Sequence, residues 1–577
     1  MISQERLRQA LAVTRQRLLE ERLPDGYWEG FLASSALATA TAVSAFVVAD
    51  AQRYRGWITG GLRWLAETQK PEGGWGDTPD SPSNLSTSLL ALAAMRLARR
   101  HLPAAVPEAA LARAQLYVAA LAGEDPAQIA ARVSRLYGQD RTFAVPILAN
   151  CALAGIVEWP SVPQLYFELA ALPQKVLRFA NLQVVSYALP ALIAIGLLLY
   201  HRGPRPRSAR RLLAGRLEPA VLRRLRSIQP ESGGFLEAAP LTAFVSMSLA
   251  AVFGAEEPAV QRGLGFLQGT ARADGSWPID TNLSVWVTTG AYLALQHSGG
   301  MTEGQQDDTM RWVLARQQRQ VHPYTGARPG GWAWTHLSGG VADADDTAGA
   351  LLAFADRAPA ERLKAGLEWL LNLQNSDGGW PTFCRGWGQL PFDQSCADIT
   401  AHALRALQAV GDSGPKVRRA AARGLAYLKR TQSREGAWTP LWFGNQLAPK
   451  QRNPVLGTAR VLAGLAEYEP EGRAAREGLR FLQAAQNQDG GWGGNVGVAS
   501  SIEETSLAVS ALTRWSEQAG NSLERGVTYL LDSVEEGGFT RPAPIGLYFA
   551  RLWYYEKLYP LIWITEALGR VRSLLGQ

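Results

Sequence analysis

A compact pattern of apolar and polar positions returns along the chain. A Gly-x-x-aromatic-Leu helical stretch leads to a Gln, a short polar turn, and then Asp or Glu, Gly, Gly and Trp. It runs from Gly61 through Gln69 to Trp75, from Gly366 through Gln374 to Trp380, and from Gly478 through Gln486 to Trp492. Looser copies run from Gly263 to Trp277 and from Gly424 to Trp438, and degenerate ones end at Trp28, Phe235, Trp332 and Phe539. Most copies lie about 42 to 58 residues apart, room for two helices and two turns. After each aromatic comes a second helix, small and apolar on several sides, with a hydroxyl residue near its start, as in Leu85-Ser-Thr-Ser, Asp398-Ile-Thr and Glu503-Glu-Thr-Ser. Helices apolar on several sides are buried, so these form an inner layer and the Arg- and Glu-richer partners an outer one. The pattern predicts an all-α fold of helix-pair repeats, an α-solenoid or, if closed, an α/α barrel. Closure would gather the inner-helix N-termini at one end of one cavity.

The chain has 577 residues, too many for one compact core. The predicted division is an N-terminal helix, 1–22, packing on the second of two α/α-barrel domains, which span 23–281 and 282–577. No clear copy falls between Trp75 and Phe235, which reads as diverged repeat structure plus a basic linker. The net charge of +7 is concentrated there, in Arg202, Arg205, Arg207, Arg210, Arg211, Arg216, Arg223, Arg224 and Arg226. No nucleic-acid motif accompanies the cluster and an apolar run precedes it, so an anionic membrane surface is the expected partner, and not nucleic acid. That run, Val184–Tyr200, carries Pro190 and is marginal for a membrane span. It predicts a buried helix and monotopic attachment. Cys151, Cys384 and Cys396 form no CxxC pair, which suits a reducing compartment, and the polar N-terminus does not read as a signal peptide. The expectation is attachment at the cytoplasmic face.

The chemistry concentrates at Val341-Ala-Asp-Ala-Asp-Asp-Thr347, ahead of an apolar helical run. Asp343, Asp345 and Asp346 facing an apolar interior cannot all stay ionised, because desolvation and mutual repulsion raise carboxyl pKa values. Helix capping by Asp343 or Asp346 is the plainer reading. Phosphate loops, His-Glu-x-x-His zinc sites and Gly-x-Ser-x-Gly elbows are absent, and Asp345-Asp346-Thr-Ala-Gly does not supply the Asp-Asp-x-x-Asp of a Mg²⁺-dependent ioniser. Acid chemistry in an aromatic cavity remains. Aromatic faces attract carbocations without being nucleophiles that trap them. Glu503-Glu504 is a second carboxylate pair at an inner-helix start, for which capping is the preferred reading over a terminating base.

The Trp-ended repeats, Asp343-Ala-Asp-Asp-Thr-Ala348 and the tail Leu552-Trp-Tyr-Tyr-Glu-Lys-Leu-Tyr-Pro560 together resemble the squalene–hopene cyclase family of class II terpene cyclases. The resemblance covers nearly the whole chain and is densest from about residue 260 onward. It implies a two-domain α/α-barrel fold, a monotopic membrane enzyme and a homodimer, no metal or other cofactor, and proton-initiated cyclisation of a linear isoprenoid. On the same basis Asp345 corresponds to the proton donor, Asp343 and Asp346 to its charge partners, and His402 to the histidine that hydrogen-bonds the acid. Asp398 and His402 are i,i+4 neighbours, so Asp398 is expected to orient the imidazole. Trp286, Trp334, Phe383, Trp442, Tyr548 and Tyr555 match the cavity wall.

Departures accompany the match. Leu456 stands where the family has a tyrosine that returns protons to the acid. A Trp expected near Val184, a Gln near Ala239-Pro240 and an acidic residue near Ala38 are missing. These leave initiation intact and bear on chain length, ring count and termination. The leading expectation is cyclisation of squalene or a similar chain to a hopene-like polycycle. The alternatives are cyclisation of a prenyl diphosphate, and a helical-repeat binding protein without catalysis.

Overall fold

The computed structural model describes residues 3–138, 141–204, 208–323, 325–549 and 551–576. Three hydrogen bonds give the recurring unit its form. The Trp indole donates to a backbone carbonyl ten residues earlier: Trp75 to Leu65 at 2.7 Å, Trp380 to Leu370 at 2.9 Å, and Trp492 to Leu482 at 2.7 Å. The same Trp donates its backbone N–H to the hydroxyl of the following inner helix, Ser88, Thr400 or Thr505. The Gln carboxamide ties the turn to the next outer helix, as Gln374 does with the carbonyls of Gly378 and Ala420. Each indole is thereby buried with its polar atom satisfied, and burying a side chain of this size contributes about 3–5 kcal/mol by large-to-small substitution. Gly378, at φ +94°, lies where a Cβ would meet the Arg423 carbonyl, which explains the glycines before the Trp.

The inner helices form two closed rings. In the first, α1 (Ala36–Asp50), α2 (Leu85–His101), α3 (Arg141–Leu153), α4 (Leu189–Arg202) and α5 (Ala239–Phe253) each pack on the next, and α5 returns to α1. In the second, α6 (Ser284–Ser298), α7 (Ala344–Phe354), α8 (Ala397–Val410), α9 (Pro454–Tyr468), α10 (Ile502–Leu512) and α11 (Tyr559–Leu574) do the same, and α11 returns to α6. Outer helices such as Ala360–Leu373 pack against the inner ones. Helix Gln4–Glu20 packs on α11, and Trp28 donates its N–H to Thr288 of α6, so this N-terminal segment joins the second ring.

The interval without clear repeats supplies α2, α3 and α4. Pro190 lies in the first turn of α4, where its fixed φ suits a helix start and its missing N–H costs nothing. The proline opens that helix and does not interrupt it. Among the described residues no helix is long and apolar enough to cross a membrane. Part of the basic cluster serves the fold: Arg226 pairs with Glu257 at 2.6 Å, and Arg224 donates to the carbonyls of Ala170 and Leu172. Arg205, Arg207 and the side chains of Arg210 and Arg211 lie outside the described residues.

Candidate active site

Trp286, Trp334, Phe383, Trp442 and Tyr548 line one chamber together with Asp343, Asp345 and Asp346. Trp286 comes from the first turn of α6, and Asp345 and Asp346 from the first turn of α7. Phe383 and Trp442 come from the turns after Trp380 and Trp438, and Tyr548 from a hairpin in which Gly546–Tyr548 pairs with Leu552–Tyr554. Trp334 meets Phe383 edge-on at 5.9 Å between centroids, and Phe383 meets Trp442 at 6.1 Å. The Trp442 indole donates to the Thr382 hydroxyl at 2.6 Å, which holds the ring.

The three carboxylates take different positions. Asp343 caps α7, its Oδ1 accepting the Asp346 N–H at 2.9 Å, so capping and clustering coexist. Asp343 and Asp346 are buried, whereas the Asp345 side chain keeps 17% of its surface. His402 Nδ1 lies 2.5 Å from Asp345 Oδ1. A residue not anticipated from the sequence completes the cluster: Arg460 of α9 puts Nη1 3.3 Å from Asp345 Oδ2 and 3.7 Å from Asp398 Oδ2. Its guanidinium stands 5.2 Å from the Trp286 ring and 4.9 Å from Phe443.

These surroundings separate the proton affinities. Burial raises Asp345, but His402 and Arg460 outweigh it and leave the carboxyl below its ordinary value. Burial pushes Asp343 up to about 7, and burial beside Asp343 pushes Asp346 well above its ordinary value. Near neutral pH a proton rests on the Asp343–Asp346 pair, and Asp345 is the strongest acid of the three. A strong carboxylic acid with His402 and Arg460 behind it and aromatic rings in front can protonate a base as weak as an alkene.

Two expectations need correction. Asp398 does not orient His402: it accepts the Cys396 thiol at 2.7 Å and faces Arg460, whose positive charge draws it, while His402 turns to Asp345. Tyr555 lines neither this chamber nor the adjoining one. It lies near Asp80 and Arg272, and Tyr554 lines the chamber in its stead, since neighbouring residues of an extended segment point to opposite faces. Glu503 and Glu504 also line neither chamber. Glu504 is held by Asn445 and Asn453, and Glu503 accepts the Ala543 N–H, with burial raising it to about 8. Among the described residues no group of three or more His, Cys, Asp and Glu is set to hold a metal ion.

An apolar chamber adjoins the first. Residues from the first ring, including Leu37, Ile195 and Phe244, line it together with Tyr187 and Phe392. It shares Tyr548 and Phe549 with the acid chamber. Phe549 holds a positive φ of 50°, rare for a residue with a side chain, and packs its ring on Tyr548 and Phe392. Arg460 had a readable signal, one cation within a small and apolar inner helix. Asp280, which accepts from Tyr548 at 2.6 Å and from the Trp334 indole at 3.1 Å, had none, because nothing in the turn after Trp277 marks it.

Residues 283–573 match the squalene–hopene cyclase C-terminal domain family, and residues 11–213 match the corresponding N-terminal domain family. The squalene–hopene cyclase of Alicyclobacillus acidocaldarius is 25% identical over 97% of this chain and 96% of its own. A drimenyl diphosphate synthase of Streptomyces showdoensis is 30% identical over 50% of each chain. The chain spans about half the length of several other curated relatives it matches. An ent-copalyl diphosphate synthase from Streptomyces platensis shares the fold, with a TM-score of 0.60 at 19% identity, covering 99% of this chain and 100% of its own.

Proposed function

The chain belongs to the squalene–hopene cyclase family of class II terpene cyclases, and on that premise we propose that it cyclises a linear polyprene of about squalene's length. Residues 23–281 and 282–577 are its two domains, and the initiating acid belongs to the second. Asp345 delivers its proton to a terminal alkene, and the resulting cation is attacked by the next double bond along the folded chain. His402 and Arg460 accept the negative charge left on Asp345. Trp286, Trp334, Phe383 and Trp442 stabilise the migrating cation, by roughly 0.5–2 kcal/mol per ring in a dry cavity. The observation that carries this reading is the Asp345 carboxyl, the most exposed of the three, opening on an aromatic chamber with His402 at 2.5 Å.

A hydrocarbon suits the chambers better than a diphosphate, because among the described residues neither is lined by Lys or Arg. Detergent-solubilised protein incubated with squalene, without added metal, is expected to yield a polycycle with the mass of squalene or of squalene plus water. Gas chromatography–mass spectrometry reads the product. Turnover of geranylgeranyl diphosphate alone would keep the acid and change the substrate, and no turnover of either would favour a binding protein.

The membrane surface is proposed as the source of substrate. Phe179 is 95% exposed and Trp387 62% exposed, on segments joined where Asn181 donates to the Gly386 carbonyl. Leu390, close to Trp387 in sequence, lines the apolar chamber. An apolar face beside an apolar chamber suits a lipid-soluble substrate. Replacing Phe179 and Trp387 together by Asp is expected to cut co-sedimentation with phosphatidylcholine vesicles several-fold, and undiminished sedimentation would refute this face.

A further inference from the structure

Asp280 is a buried carboxylate with an unexplained environment. It is fully buried and follows the Trp277 turn, where its backbone bridges to Ala238 beside a segment that holds Leu236 and Glu237 at positive φ. Its Oδ2 accepts two donors, the Tyr548 hydroxyl at 2.6 Å and the Trp334 indole at 3.1 Å. Its Oδ1 has no hydrogen-bond partner, and no Lys or Arg pairs with it among the described residues. Burial and the neighbouring Glu237 push the Asp280 carboxyl well above its ordinary value, so once ionised it is a strong base, and the chambers lie within reach of it. Tyr548 lies at their junction, lining both, and its hydroxyl hydrogen points at Asp280.

We propose that Tyr548 and Asp280 take up the proton whose loss ends the cyclisation. The inference rests on the cyclase reading above and adds where the cascade stops. A C–H bond next to the last cationic carbon breaks and its electron pair becomes the new C=C bond. The proton passes to Tyr548 Oη as the tyrosine's own hydroxyl proton passes to Asp280 Oδ2. A cation and a carboxylate become a neutral alkene and a neutral carboxylic acid, and Tyr548 ends as it began. A tyrosine hydroxyl is a weak base, but a carbocation is acid enough to protonate it once a carboxylate accepts the second proton. The Trp334 indole, bonded to the same Oδ2, keeps that oxygen turned toward Tyr548. Asp345 takes one proton from solvent and Asp280 returns one in each turnover, so substrate and product are isomers.

Tyr548→Phe keeps the ring and removes the accepting oxygen, and Asp280→Asn keeps the shape and removes the charge. With squalene, both variants are expected to consume substrate within about tenfold of the unaltered enzyme while the main alkene gives way to double-bond isomers or alcohols. Tyr548→Phe decides the question alone if Asp280→Asn melts early by circular dichroism. An unchanged single product from Tyr548→Phe, or an alcohol as the unaltered enzyme's product, would overturn the proposal. Asp345→Asn separates the two readings. Consumption by the unaltered chain and none by Asp345→Asn upholds the cyclase even where the Tyr548 pair fails, whereas no consumption by the unaltered chain ends both.

Discussion

Asp345→Asn is expected to lower polyprene turnover by about 10³-fold or more, in line with the upper range for loss of a positioned acid. The amide fills the same space and still reaches His402 and Arg460, but it has no proton to give at accessible cost. The fold should lose little. Arg460 retains Asp398 3.7 Å away, and Asp343 still caps α7, so melting should shift by only a few degrees. Undiminished turnover would remove Asp345 from the acid's role. The unaltered enzyme should also slow as pH rises, in a pH–rate profile. His402 and Arg460 hold the Asp345 carboxyl below its ordinary value, so its protonated form, the one that donates, grows scarcer with rising pH. Ionisation of Asp343, at about 7, pulls the other way, because its charge raises Asp345 and offsets part of that loss.

Much of the architecture was readable because each unit repeats three residue types at fixed offsets. Trp380, Gln374 and Thr400 each make defined bonds that few other residue types at that position would make, and such a pattern survives in sequence. The first ring's α2 to α4 had no such code. They pack through Ala, Leu and Ile surfaces that many helices share, and the apolar run carrying Pro190 read only as a buried helix with no place in a repeat. Within the site, Asp345 was legible from its carboxylate cluster at an inner-helix start, and His402 from the resemblance of its motif. Asp398 was misjudged because i,i+4 spacing says which residues can meet, and not that Arg460 would take Asp398 while His402 turned to Asp345. Tyr555 was misjudged by one residue, which in an extended segment reverses the face. Asp280 acts through partners 54 and 268 positions away, where no local pattern helps, whereas Arg460, 62 and 115 positions from its partners, was marked only as a lone cation in an apolar inner helix.

Arg460→Met should slow turnover by about 10²-fold and move the pH profile upward. The guanidinium lies 3.3 Å from Asp345 Oδ2, and with His402 it holds the carboxyl below its ordinary value against the opposing effect of burial. Without it, Asp398 loses its basic partner and Asp345 keeps only His402, Asp345 binds its proton more tightly, and each unit of raised pKa removes about 1.4 kcal/mol of drive toward the alkene. The same change keeps Asp345 protonated to higher pH, so the variant is slower at its best and loses its activity later. Arg460→Lys retains the charge but not the fork that reaches two carboxylates, and should fall between the two. Stability alone cannot produce this combination. Losing one partner of a buried charge cluster costs about 3–5 kcal/mol and lowers the melting point, yet a purely structural arginine would leave the pH profile of the surviving folded enzyme where it was. A profile that does not move, in a variant still folded at the assay temperature, would reduce Arg460 to a packing residue and leave His402 as the one group that sets the strength of the acid.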